Sequence, residues 1–315
     1  MITTHARRTD MLALLVAALA AYAVQRLAWP LAPGRDFLNY LTYYLQLGDP
    51  QPTRHLLMLF RTPITGIVIG GLLDMGGALL LEAVMALCYS FVIVATYLAG
   101  AHWSRAAGIL AAGLLVLYPP YSSIFHFVAT EALFSTFLIG WLLFTVATLR
   151  TPRLWHFALH GGFIALLVLT RPSGQMLLGF VLFPLLLPGL VWWRRSVAAL
   201  LVLGVAQAVL FGWASYNSIR YDDFTVSRGS AAVVPLYRAF VVDRIVQPSN
   251  GPATAELARL VEQELLIQEP YTTYNIDLET FFSSGSTLMW AAPRQPVRPG
   301  VGLGERLRPA PRGGY

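Results

Sequence analysis

The side chains in this chain that can move protons or hold anions sit at the edges of long apolar runs. Asp36 lies in "GRDFLNY", Arg61 in "FRTP" with Arg54 and His55 shortly before it, Glu131 in "VATEALF", Arg171 in "LTRPSG", and Arg220, Asp222 and Asp223 in "SIRYDDF". Ionised groups are costly within a bilayer, so each is a functional candidate with a blander alternative to weigh against it.

The elements that must position them follow from composition. Of 315 residues 56% are hydrophobic and 12% charged, against about 25% charged in a soluble domain. This is the composition of a membrane protein. The net charge of +6 is concentrated in the last 25 residues, which carry five Arg and one Glu, so nucleic acid is discounted as a partner. Every basic residue is Arg, a bias more readily explained by GC-rich codons than by physics. Cys88 is the single cysteine, which excludes an internal disulfide and a Cys-based metal site, and the six scattered His do not supply one.

A window of about 19 residues finds seven candidate spans: Met11 to Trp29, Ala78 to Leu98, Ala106 to Tyr118, Phe127 to Leu149, Leu154 to Leu169, Gln175 to Trp193 and Val197 to Tyr216. The first follows "HARR" and is long for a signal-peptide core, so it reads as a retained span. The third and fifth are short for a straight crossing. With the N-terminus in the cytoplasm, Arg7, Arg8, Arg105, Arg150, Arg153, Arg194 and Arg195 all fall in inside loops, as the positive-inside rule asks. "ITGIVIGGLLDMGG" (residues 64–77) would invert that pattern if it crossed separately; Pro63 and the glycine pairs favour a partly buried lead-in to the second span.

The chain then divides into a seven-span module (residues 1–216), an extracytoplasmic segment (217–290) with a helix in "GPATAELARLVEQELL", and an Arg/Pro/Gly-rich tail (291–315) too poor in apolar side chains to pack. In this topology Asp36, Glu131, Arg171 and Arg220 face one compartment. Separately encoded loops converging on one membrane face are what an active site at the bilayer surface requires, whereas a transporter or flippase wants ionisable groups and broken helices near the midplane. A structural or receptor-like seven-span protein requires no such convergence.

Four stretches, in this order and spacing, carry a resemblance: the Asp in "GRDFLNY", the "FRTP" before the second span, "YPPYSSIFHFVATEALF" with its Glu, and "GFIALLVLTRPSG". Together they resemble the GT-C superfamily of polyprenyl-phosphate-sugar-dependent glycosyltransferases, particularly the protein mannosyltransferase and lipid A aminoarabinose transferase branch, over Met11 to about Trp290. The resemblance implies an all-α integral membrane fold, in a bacterial inner (plasma) membrane. It implies an inverting transfer of a sugar from a polyprenyl-phosphate donor to a hydroxyl of a lipid, glycan or protein acceptor, with Asp36 as general base. The residues themselves show no dense carboxylate cluster that would argue for a metal, and no cofactor is expected besides the lipid-linked sugar donor as substrate. Glu131 would orient Asp36, the acceptor or an Arg; Arg171 would hold the phosphate bidentately, with Arg61, Arg220, Arg54 and His55 as further candidates. The family's variable part is nearly absent here, so the chain reads as a fragment or frameshifted product of a longer relative, or as a minimal one.

The blander readings are specific. Asp36 caps a helix through Phe37 to Leu47; Glu131 complements a helix dipole; Arg171 snorkels to headgroups; Arg61 and Arg220 anchor the surface. His156 and His160, at i, i+4, form a helix-face pair without a metal, Tyr40, Tyr43 and Tyr44 belong to an aromatic belt, and Asp222 and Asp223 form a turn.

Overall fold

The computed structural model describes residues 4–34, 37–47, 61–221, 223–227, 247–268, 271–272, 275 and 277–284. Asp36, Arg54 and His55 lie outside the described residues, as do Asp222 and the Arg/Pro/Gly-rich tail. The chain forms two compact units, Met1–Ser227 and Arg228–Tyr315.

The first unit is a helical bundle. Helices α1 (Thr4–Ala28), α2 (Phe37–Gln46), α3 (Pro63–Gly100), α4 (Arg105–Val116), α5 (Pro119–Ser123), α6 (Thr130–Arg150) and α7 (Leu154–Thr170) lead into a 3-10 helix (Pro172–Leu186) and then α8 (Trp192–Tyr221). Helices α1, α3, α6 and α8 are long and apolar enough to cross a membrane; α4, α7 and the 3-10 helix are shorter apolar helices. Each of the seven expected spans thus falls on an apolar helix.

Two differ in form from the expectation. The third ends at Val116, because Pro119 and Pro120 cannot continue the helix and start α5 instead. The sixth is a 3-10 helix that starts at Pro172 and stops at Leu186. Pro184 inside it has no N–H to give, and the narrower winding stretches its 15 residues to about 30 Å, where an α-helix would reach only ~22 Å. Arg195, in the first turn of α8, closes this corner by donating from Nε to Leu190 O (2.7 Å) and from Nη1 to Leu185 O (3.2 Å).

The lead-in is helical and joins α3 at Gly77, whose φ of 66° interrupts the helix. That left-handed conformation suits glycine, which lacks the Cβ that would clash there. Both ends of the lead-in lie at one end of the bundle. Thr65 donates to the carbonyl of Thr170, the last residue of α7 (3.3 Å), while Glu82, just past Gly77, pairs with Arg26 in the last turn of α1 (2.5 Å). Residues 63–76 therefore lie along that end rather than running the length of the bundle.

The opposite end is fixed by a second set of contacts. Asp10 accepts from Arg105 Nη2 and Nε (2.7 Å each) and from Tyr97 Oη (2.8 Å), and Arg150 Nη2 lies 3.0 Å from His102 Nδ1. The basic ends of α1, α4 and α6 are thus gathered together.

The core is apolar and close-packed, with Trp141, Phe157, Ile164, Leu167, Val168, Ala198, Val202 and Ala206 buried. Gly161 lets α7 approach the backbone of Val202 on α8, the small-residue contact by which helices pack in lipid. His160 belongs to this core: Trp141 Nε1 donates to its Nδ1 (3.0 Å), and its Nε2 faces Thr148 Oγ1 (3.2 Å), whose own proton goes to Phe144 O. Both ring nitrogens are thereby occupied. Tyr40 and Tyr43 are also buried rather than part of an exposed belt.

The second unit contains α9 (Pro252–Leu260), continued by a π turn over Val261–Leu265, and α10 (Leu278–Ser284). Pro252 stands in the first turn of α9, as expected. Ala258, Val261, Tyr271 and Phe281 form its small apolar cluster.

Candidate active site

Proline decides where Arg171 points. The residue before a proline is disfavoured in the helical region, which agrees with α7 ending at Thr170 and Arg171 taking an extended backbone (φ −149°, ψ 125°). Its amide still donates to Leu167 O (2.9 Å), which caps the helix, while its side chain leaves the helix axis. Arg171 Nη1 donates to Glu131 Oε1 at 2.8 Å. Glu131 stands in the first turn of α6, where a negative charge is favoured by the helix dipole. Its other oxygen accepts from Thr130 Oγ1 (3.3 Å).

The ion pair remains open to solvent, with Arg171 41% and Glu131 42% exposed. An exposed pair contributes only about 0.2–1 kcal/mol to folding. Stability therefore gives this arrangement little justification. Among the described residues, Arg171 Nε and Nη2 have no hydrogen-bond partner, which leaves one edge of the guanidinium unoccupied. Such an edge matches two oxygens of a phosphate.

A short parallel pairing brings the first loop to the same place. Strand β1 (Ala32–Pro33) pairs with β2 (Phe127–Val128), and Ala32 N donates to His126 O (2.9 Å) and Gly34 N to Val128 O (3.2 Å). A Cβ on Gly34 would stand 2.8 Å from that carbonyl and 3.0 Å from Ala129 Cβ, so the approach requires glycine. Gly34 is thus held against the residues that lead directly into Thr130 and Glu131. Phe37 N then donates to Gly34 O (3.1 Å) and starts α2, so the helix expected after Asp36 is present.

Helix α2 is anchored to two other elements. Gly66 of the lead-in packs directly on the Tyr40 backbone. Tyr43 Oη donates to Asn217 Oδ1 (2.7 Å), and Asn217 Nδ2 donates to Thr225 O (2.7 Å), tying the exit of α8 back to the bundle. Arg61 places its guanidinium over the Tyr40 ring, 5.3 Å from the centroid. Arg220 is half-buried in the last turn of α8.

Of the residues named from sequence, then, the structure joins Glu131 to Arg171, sets Arg61 on α2 beside the lead-in, and places Arg220 one turn from Asn217 on α8. Thr65, Thr130, Tyr43 and Asn217 were missed as positioning groups. Single hydroxyls and one amide inside apolar runs were their only signal. Among the described residues no cluster of three or more His, Cys, Asp or Glu side chains could hold a metal. No family model, no curated protein and no solved structure matches the chain.

Proposed function

We propose that this chain is a membrane glycosyltransferase of the GT-C type, transferring a sugar from a polyprenyl-phosphate carrier to a hydroxyl acceptor at the extracytoplasmic face of the membrane. The observation that carries the reading is the solvent-open Glu131–Arg171 pair, held beside the loop that leads to Asp36 by the β1–β2 pairing. All seven apolar helices cross the bilayer in this reading, with the Arg105 end in the cytoplasm.

The acceptor oxygen attacks the anomeric carbon as the bond from that carbon to the phosphate oxygen breaks. The carrier phosphate leaves with the bonding pair, and the hydroxyl proton passes to the Asp36 carboxylate. The free edge of Arg171 holds the phosphate and stabilises the charge that grows on it. Glu131 is a positioning residue that fixes the guanidinium. One carboxylate suffices as base, since a phosphate leaving group needs no general acid of the kind glycosidases use.

Transfer from a labelled polyprenyl-phosphate sugar in membranes tests this, with Asp36→Asn compared against the parent chain. Loss of turnover is expected; equal turnover in the two would remove Asp36 as base.

A further inference from the structure

At the end of the bundle opposite Glu131 and Arg171, α1 and the second half of α3 enclose a groove of about 620 Å³. Met11, Leu12 and Leu15 line one wall, and Leu87, Phe91 and Val94 the other. The walls open outward, with Leu12 63% and Leu87 60% exposed. Ser90 also borders it, but its hydroxyl is spent on Ala86 O (2.9 Å). Along α1 the groove runs from Arg8 to Leu15, roughly 10 Å of helix. An apolar slot of this depth, open along its side, accepts a hydrocarbon chain and offers a polar ligand nothing.

Its mouth is different. Arg8 stands there, exposed, and among the described residues no carboxylate pairs with it. The nearby Asp10 is already engaged by Arg105 and Tyr97. Arg7 and Arg150 add to the positive field at this end, since both help to hold the His102 pKa below its ordinary value after burial.

We propose that this groove is a binding site for a phospholipid with an anionic headgroup, one acyl chain lying between α1 and α3 and the headgroup phosphate on Arg8. The chain-and-phosphate combination is what an apolar slot capped by an uncompensated guanidinium recognises. The inference needs only that the bundle spans a bilayer and is independent of the glycosyltransferase reading.

The test uses the full chain purified in detergent and stripped of lipid. Phosphatidylglycerol and phosphatidylcholine with identical acyl chains are titrated separately, and native mass spectrometry reads the bound fraction. The parent chain is expected to take one phosphatidylglycerol about fivefold more tightly than phosphatidylcholine, the scale of one Arg beside an anionic headgroup. Arg8→Gln should erase that preference while phosphatidylcholine binding persists, and Arg153→Gln, at the same end but off the groove, should keep it. Leu87→Trp, or Leu12→Trp should the first fail to fold, fills the slot and should abolish binding of both lipids. Equal affinity of the parent for the two lipids, a preference that survives Arg8→Gln, or unchanged binding in both Trp variants would overturn the proposal.

Discussion

Substitutions of Glu131 and Arg171 can tell a stabilising role of their contact from a chemical one. Their bond is short at 2.8 Å, yet both side chains are about two-fifths exposed, so water screens it. Glu131→Gln should therefore change the melting temperature of the purified chain by little, on the order of the ~0.2–1 kcal/mol of an exposed pair. Arg171→Lys keeps the charge but loses the planar fork that grips two phosphate oxygens at once. On the proposed mechanism it should cost about 100-fold in transfer rate, the scale of removing one preorganised donor, with melting again nearly unchanged. A variant pair that melts early and transfers normally would assign the contact to folding instead. At this scale the sequence showed both charged residues and their common side. It did not show that they touch, because a pairing across 40 residues depends on the pre-proline backbone of Arg171 aiming the side chain, and no local pattern encodes a partner.

The joint between elements at that end contains a group the sequence reading passed over. His126 is fully buried just before β2, stacked on Tyr22 of α1 with centroids 4.2 Å apart. Its carbonyl accepts from Ala32, but neither ring nitrogen has a hydrogen-bond partner among the described residues. Burial therefore pushes the imidazole pKa down, because a charge there would be unsolvated. The unfolded chain protonates this ring near pH ~6.5 and the folded chain only lower. Its contribution to stability is complete above about 6.5 and drains away as pH falls toward the folded value. His126→Phe keeps the stacking and removes the orphaned nitrogens, so its melting temperature should exceed the parent's and decline less between pH 7 and 5. The gain should reflect the ~1–3 kcal/mol of an unsatisfied buried polar group. An identical pH dependence in the two chains, measured by thermal unfolding in detergent, would mean that the ring finds water in the folded protein. A lone His beside aromatics in a loop carries no such signal in sequence. For the same reason the 3-10 winding of Pro172–Leu186 was hidden, since its hydropathy is that of any apolar helix and only the backbone hydrogen-bond register distinguishes them.

At the scale of the whole molecule, apolar periodicity and loop charge were legible because lipid leaves few ways to satisfy a backbone. The seven apolar runs each became helical, and the charges they separate fall at two ends: Asp10, His102, Arg105 and Arg150 at one, Glu131 and Arg171 at the other. Span lengths were less legible, since they are set by caps and prolines rather than by hydropathy. The membrane orientation that the proposed function requires can be read directly from the chain. Cys88, inside α3, is the sole cysteine, so a Cys88→Ser background is free of competing thiols. Thr151 is exposed at the arginine-rich end and Ser173 is exposed two residues past Arg171, with the 17-residue α7 between them, about 25 Å long. A membrane-impermeant maleimide applied to intact cells should label Ser173→Cys at once and Thr151→Cys only after permeabilisation. Labelling of both from outside, or of Thr151→Cys alone, would put the arginine-rich end in the wrong compartment and leave the Glu131–Arg171 pair unable to meet an extracytoplasmic substrate.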